Sequence, residues 1–185
     1  MILVIDCGSS KTPYIADLVD ANCEVEIVPF FDLTEEKANT AKGLIFSGAP
    51  ILVTENDMSN YLEHLNWLKE YKKPVLGICF GHQLLGMLFG AIPSRMKEDR
   101  DWQEIEKFVD CPILESLPDI FEMMEDHCEN IPVAPGFELV ASSDACVNEV
   151  MQHKTLPFFG VQFHPEVSGN HGAFVIDNFC GLCLK

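Results

Sequence analysis

Three runs, Ile2–Asp6, Gly43–Ser47 and Pro74–Ile78, hold apolar residues at almost every position and are too short for helices. A strand solvated on one face would alternate; a continuous apolar run of this length predicts a strand buried on both faces. Gly8-Ser9 ends the first run, and Gly48 with Pro50 ends the second. Glu24–Pro29 reads as a further strand. Helical patterns lie between: Pro13–Ala21 with Pro13 in its first turn, Asp57–Glu70 with Leu62, Leu65 and Leu68 on one face, and His82–Phe89 closed by Gly90. This alternation predicts a three-layer α/β fold with a mainly parallel central sheet and helices on both faces. Ligands of such sheets bind at the carboxyl ends of the strands. In the second half Gln103–Val109, Phe137–Ser142, Val147–His153 and Phe158–Phe163 read as strands and Gly172–Leu182 as a helix. Without a linker or repeat, residues 1–185 are expected to form one domain.

Charge narrows the function. Twelve Lys and Arg stand against 29 Asp and Glu, a net −17. Such a chain repels phosphate backbones and anionic lipid, so neither nucleic acid nor a membrane surface is expected as a partner. Between Glu98 and Glu129 twelve acids meet two bases, Arg100 and Lys107. That stretch is either a solvated face or a docking surface for a basic partner. The uncharged stretch Pro74–Pro93 is broken by His82, Gln83 and glycines 77, 81, 86 and 90, which predicts a strand, a turn and a helix rather than a membrane span. The opening MILVID reads as a strand and not a secretion signal, so a cytoplasmic location with free thiols is expected of the eight cysteines. Cys180 and Cys183 make one CxxC pair with no second pair at zinc spacing, and no metal site is expected.

Gly77-Ile78-Cys79-Phe80-Gly81 follows an apolar strand and opens a helix. It has the form of a nucleophile elbow, G-x-Nuc-x-G, with cysteine as the nucleophile. The helix N-terminus there favours a thiolate, and the Phe80 N–H is placed to meet an oxyanion. A nucleophilic cysteine needs a base, and the base an orienting acceptor. His164 ends the run Phe158–Phe163 and precedes Pro165-Glu166, so a strand would deliver its ring to the ligand-binding edge while Glu166 folds back towards it. Ser47-Gly48-Ala49-Pro50, at the end of another strand, could supply a second oxyanion N–H.

At these residues the sequence resembles the class I (triad) glutamine amidotransferases. The matching segments are PVLGICFGHQLLG around Cys79, FFGVQFHPEV around His164 and Glu166, and FSGAP around Ala49. Within that family ILVIDCGSSKTPYI and SSDACVNEVMQHKTLPFFG are most similar to the GMP synthase branch. The resemblance implies Cys79, His164 and Glu166 as catalytic triad and the N–H groups of Ala49 and Phe80 as oxyanion hole. Gly48, Gln83 and His127 would serve the glutamine site, His127 through nearby backbone. It further implies hydrolysis of L-glutamine and delivery of ammonia to a separate ATP-dependent synthetase of the GMP synthase type. This chain carries no nucleotide-activating loop, so no cofactor is expected in it; ATP and magnesium would belong to the partner. Three stretches depart from the family pattern. Ala49 replaces a glycine, Asp126-His127-Cys128-Glu129 replaces Ser-His-x-Asp, and Arg100-Asp101-Trp102-Gln103 lacks a glycine after its aromatic residue. An amidotransferase or γ-glutamyl hydrolase serving another substrate and a non-catalytic relative are the alternatives.

Overall fold

The computed structural model describes residues 1–185. In chain order the elements are β1 (Ile2–Asp6), α1 (Thr12–Asp20), β2 (Val25–Pro29), α2 (Glu35–Thr40), β3 (Leu44–Phe46), α3 (Ser59–His64), β4 (Val75–Ile78) and α4 (Phe80–Leu88). Then follow β5 (Ser94–Asp99), β6 (Trp102–Lys107), β7 (Ile120–Met124), β8 (His127–Asn130), β9 (Phe137–Ser142), β10 (Val150–His153), β11 (Phe158–Val161) and α5 (Gly169–Cys183). Nine strands form one sheet in the order β2-β1-β3-β4-β11-β10-β9-β6-β7, and β5 pairs with β8 in a small second sheet. From β2 to β11 all pairings are parallel, and beyond β11 they are antiparallel.

The apolar runs are buried on both faces because successive side chains feed opposite layers. Ile2, Val4, Ile45, Leu76, Ile78 and Val161 pack with Ile15 and Val19 of α1 and Val175, Ile176 and Phe179 of α5. Leu3, Ile5, Leu44, Phe46, Val75 and Phe158 pack on the other side with Leu84, Leu85 and Leu88 of α4 and with Leu65 and Leu68. Each buried aliphatic side chain contributes about 1.5–3 kcal/mol. The sheet is thereby fixed between two helical layers. The apolar stretch Pro74–Pro93 resolves into β4 and α4, and no helix is long and apolar enough to cross a membrane.

The structure departs from the sequence expectation in two places. Asp57–Glu70 is not one helix: α3 ends at His64 and Asn66–Glu70 forms a 3₁₀ turn. None of α3 is buried, whereas Leu65 and Leu68 after it are. The strands β5, β7 and β8 and the helix α2 are additions to the expected pattern. α2 carries a local start signal, since Thr34 Oγ1 accepts the Lys37 N–H at 3.1 Å and Glu35 and Glu36 occupy its first turn.

Candidate active site

β4 and β11 lie side by side and parallel, with Ile78 opposite Val161. Whatever follows each strand therefore leaves at the same sheet edge. Cys79 follows β4, and its N–H bonds the Val161 carbonyl at 2.9 Å. The chain then reverses into α4 with Cys79 at φ 50°, ψ −103°, a conformation few non-glycine residues adopt. The two glycines make this turn possible. A Cβ on Gly77 would overlap the Gly81 carbonyl, and one on Gly81 would lie 2.5 Å from the Phe46 oxygen. The result holds the Cys79 side chain at the wall of a cavity with only 7 % of the residue exposed. Phe80 is the first residue of α4, so its N–H has no acceptor within the helix.

His164 lies three residues beyond β11 and is locked from the backbone. Its N–H bonds the Met124 carbonyl at 2.9 Å, and its carbonyl accepts the Ser168 hydroxyl at 2.6 Å. A 3₁₀ turn at Pro165–Val167 folds Glu166 back, and His164 Nδ1 lies 2.7 Å from Glu166 Oε1. Both side chains are buried. Burial alone would lower the pKa of His164. The neighbouring Cys79 sulfur, and then the Glu166 carboxylate, outweigh it and raise the value to about 10. The imidazolium is thus the favoured form, and with Nδ1 donating to Glu166 the other ring nitrogen is left for the sulfur.

Cys79, Phe80 and His164 border a cavity of about 430 Å³ with Ala49, Pro50, Gln83, His127 and Glu129. Gly48, two residues beyond β3, faces the ring: a Cβ there would sit 3.1 Å from His164 Cε1. Ala49 is not in the left-handed region, so its Cβ is accommodated without strain. Gln83 donates to the Glu129 carbonyl at 3.0 Å and to Gln162 Oε1 at 3.2 Å. His127 contributes to the wall, but its ring turns inward, with Nδ1 2.9 Å from the Glu129 carbonyl and Nε2 3.1 Å from Glu125. Lys11 and Arg100 bring positive charge to the cavity and Asp126 negative charge, with Lys11 and Asp126 paired at 2.7 Å. A cavity lined by both signs suits a zwitterionic amino acid.

Residues 3–181 match the family model of class-I glutamine amidotransferases. The chain belongs to this family. The amidotransferase is 38 % identical over 188 residues to the glutamine-hydrolyzing GMP synthase subunit of Pyrococcus furiosus, covering 99 % of this chain and 98 % of that one. It is 39 % identical to the same subunit from Thermococcus kodakarensis over the same shares, and 33 % identical to that of Methanocaldococcus jannaschii over 99 % and 97 %. A structure from Thermoplasma acidophilum, described as that of a proposed GMP synthase subunit, superposes with a TM-score of 0.90. It is 28 % identical, with 99 % of this chain and 93 % of that chain covered. A Thermotoga maritima glutamine amidotransferase shares the fold with a TM-score of 0.75 at 21 % identity, over 92 % and 77 % of the two chains.

Several residues of the amidotransferase site escape a reading of the sequence. Gln162 Nε2 lies 3.6 Å from Cys79 Sγ, next to the Gln83 amide. Glu129 is 2 % exposed and accepts from the N–H groups of Val53 at 2.6 Å and Thr54 at 3.1 Å, tying β8 to the loop after Pro50. Ser168 spans the His164 carbonyl and the Met124 N–H, so the start of α5 holds the His164–Glu166 turn against β7. Behind His127, Glu125 and Glu149 are fully enclosed. For Glu125 and Glu129 the one sequence sign is strand alternation across 121–129, which runs through charged residues.

Proposed function

We propose that this amidotransferase hydrolyses L-glutamine through a Cys79 thioester and passes the ammonia to a separate ATP-dependent synthetase that aminates xanthosine monophosphate to GMP. The 2.7 Å His164–Glu166 contact beside Cys79 carries the catalytic half of this reading. The near full-length identity to relatives named as glutamine-hydrolyzing GMP synthase subunits carries the partner half. His164 takes the Cys79 proton, and the sulfur adds to the side-chain amide carbon. The Ala49 and Phe80 N–H groups receive the oxyanion. The C–N bond breaks as His164 protonates the leaving nitrogen, giving ammonia and the thioester. Water then adds as His164 takes its proton, the C–S bond breaks, and glutamate leaves. Glu166 keeps the ring aligned. Gly48 and Gln83, with backbone near His127, position the substrate. Nothing in these steps calls for a cofactor in this chain; ATP and magnesium act on the synthetase. A reducing cytoplasmic setting belongs to the same reading.

The test is labelling with diazo-oxo-norleucine in the presence of the synthetase chain of GMP synthase. Wild type should gain one adduct mass and Cys79→Ala none. An adduct that persists in Cys79→Ala would overturn the nucleophile assignment. Ammonia release that no combination of synthetase, xanthosine monophosphate and ATP stimulates would overturn the partner. The Asp126-His127-Cys128-Glu129 stretch, which lines the cavity, favours a synthetase of different acceptor as the second reading in that case.

A further inference from the structure

Behind the wall of the glutamine cavity lies a group the proposed reaction does not use. Glu125 follows β7, His127 begins β8 and Glu149 precedes β10. Glu125 and Glu149 are 1 % and 0 % exposed, and the His127 side chain is 2 % exposed. Each residue can present one ligand atom with all three atoms within 4.8 Å of one another. Their hydrogen bonding is incomplete. Apart from the 3.1 Å contact of His127 Nε2 with Glu125 Oε2 and the approach of the two carboxyl groups to each other, both oxygens of Glu125, Oε2 of Glu149 and Nε2 of His127 find no hydrogen-bond partner. Neither carboxylate is bridged by a lysine or arginine; the one ion pair of Glu125 is with His127. Asp99, also buried and with Oδ2 unpartnered, adds further negative potential to Glu125.

Burying two carboxyl groups against each other without a cation is costly. Glu129, next along the same inward face, shows the contrast: it is met by two backbone N–H groups and by Thr54. What Glu125 and Glu149 lack is positive charge, and the imidazole nitrogen aimed at them is a metal-ligating group. Ligands about 2.0–2.2 Å from one ion lie at most about 4.4 Å apart, so a small contraction closes the set. Ser143, which donates to Glu149 Oε1 at 2.6 Å, would orient that ligand from outside.

We propose that Glu125, His127 and Glu149 bind one divalent transition-metal ion that ties β7, β8 and the start of β10 together behind the glutamine cavity. One imidazole and two carboxylates, with positions left for water, suit manganese, iron(II) or zinc. The Glu149 carbonyl accepts the Gln162 N–H at 2.8 Å, which links the site to the residue beside Cys79.

The probe is Mn²⁺, which ignores thiols, titrated into chelator-stripped full-length protein and followed by electron paramagnetic resonance of the free ion. One ion per chain is expected, displaced by Zn²⁺, together with a melting temperature that rises with Mn²⁺. Glu149→Gln and Glu125→Gln should each weaken binding at least about a hundredfold and abolish the melting shift. Ser143→Ala should weaken it about 10–100-fold, as loss of an outer partner does. Circular dichroism checks that each variant is folded. Wild type that binds no Mn²⁺ at millimolar concentration, or variants that bind as wild type does, overturns the site. Glu149→Gln melting at or above the wild-type temperature regardless of Mn²⁺ also overturns it, because the carboxyl pair would then be sharing protons.

Discussion

Gly48→Ala is a small change aimed at the one group whose position matters most to the proposed reaction. The new Cβ would lie 3.1 Å from His164 Cε1 and 3.8 Å from Cys79 Cβ. Gly48 is not in the left-handed region, so alanine fits the backbone and only the side-chain contact is new. Carbon atoms settle at about 3.5–4.0 Å, so the ring must retreat by about 0.4 Å. The His164 backbone cannot follow easily, being held at Met124 and Ser168, and the ring therefore tilts about its 2.7 Å bond to Glu166. A misplacement of 1 Å costs about 10²-fold in rate; scaled logarithmically, 0.4 Å costs about sixfold, or about 1 kcal/mol of barrier. Steady-state glutaminase assays with the synthetase present should show kcat reduced about 5–10-fold. KM should change less than about twofold, because the Gly48 backbone that positions glutamine is kept and the new Cβ presses on the His164 ring. If kcat stays within about 1.5-fold of wild type while the protein remains folded, His164 is not set by this contact and the positioning argument fails.

The other predictions concern the His164–Glu166 pair, its supports and the acidic face. Glu166→Gln should lower kcat by about 10²–10⁴-fold, and imidazole resonances should show the His164 pKa falling from about 10. Because that pKa is raised in the fold, its stabilisation is complete below about 6.5 and fades as pH rises through about 10. The urea-midpoint gap between wild type and Glu166→Gln should therefore close at high pH, and a gap that widens contradicts the sign. A Cβ at Gly172 would overlap the Pro165 carbonyl, so Gly172→Ala should cost about 1–3 kcal/mol in urea unfolding and reduce glutaminase activity together; unchanged stability rejects the contact. Glu104 and Glu122 face each other across β6 and β7, both exposed, so synthetase binding through this edge should weaken at least about tenfold between 50 and 500 mM salt. Salt-independent affinity would return these acids to the solvent.

The parts of the fold that read cleanly are those with a single physical solution. β1, β3, β4 and β11 are covered on both faces, so nearly every position must be apolar and the run announces itself. β5 and β8 make a two-stranded sheet whose residues Ser94, Arg95, Lys97 and Glu98 are exposed, and such a pair leaves no apolar signature. The broken helix at Asp57–Glu70 has a more instructive cause. Leu62, Leu65 and Leu68 are spaced by three, a period that suits the 3₁₀ turn as well as the α-helix. A spacing mixed between three and four would be needed to favour one continuous α-helix.

The elbow is legible because its glycines are sterically required, and the His164 segment because a strand must end where ligands bind. The acids mislead because their charge is summed as if it were all on the surface. Phe121, Met123, Glu125, His127, Glu129 and Ile131 are all buried and fall on alternate positions, so one inward face continues from β7 through β8. Strand alternation, applied without regard to polarity, places Glu125 and Glu129 inside. Three of the twelve acids between Glu98 and Glu129 (Asp99, Glu125 and Glu129) thus cannot serve a docking surface. Their compensation differs. Glu129 closes its hydrogen bonds on the loop that follows Pro50 and so builds the cavity wall. Glu125 faces Glu149 and His127 with no such donors, and that asymmetry between neighbours on one strand face is what separates a structural carboxylate from a ligand.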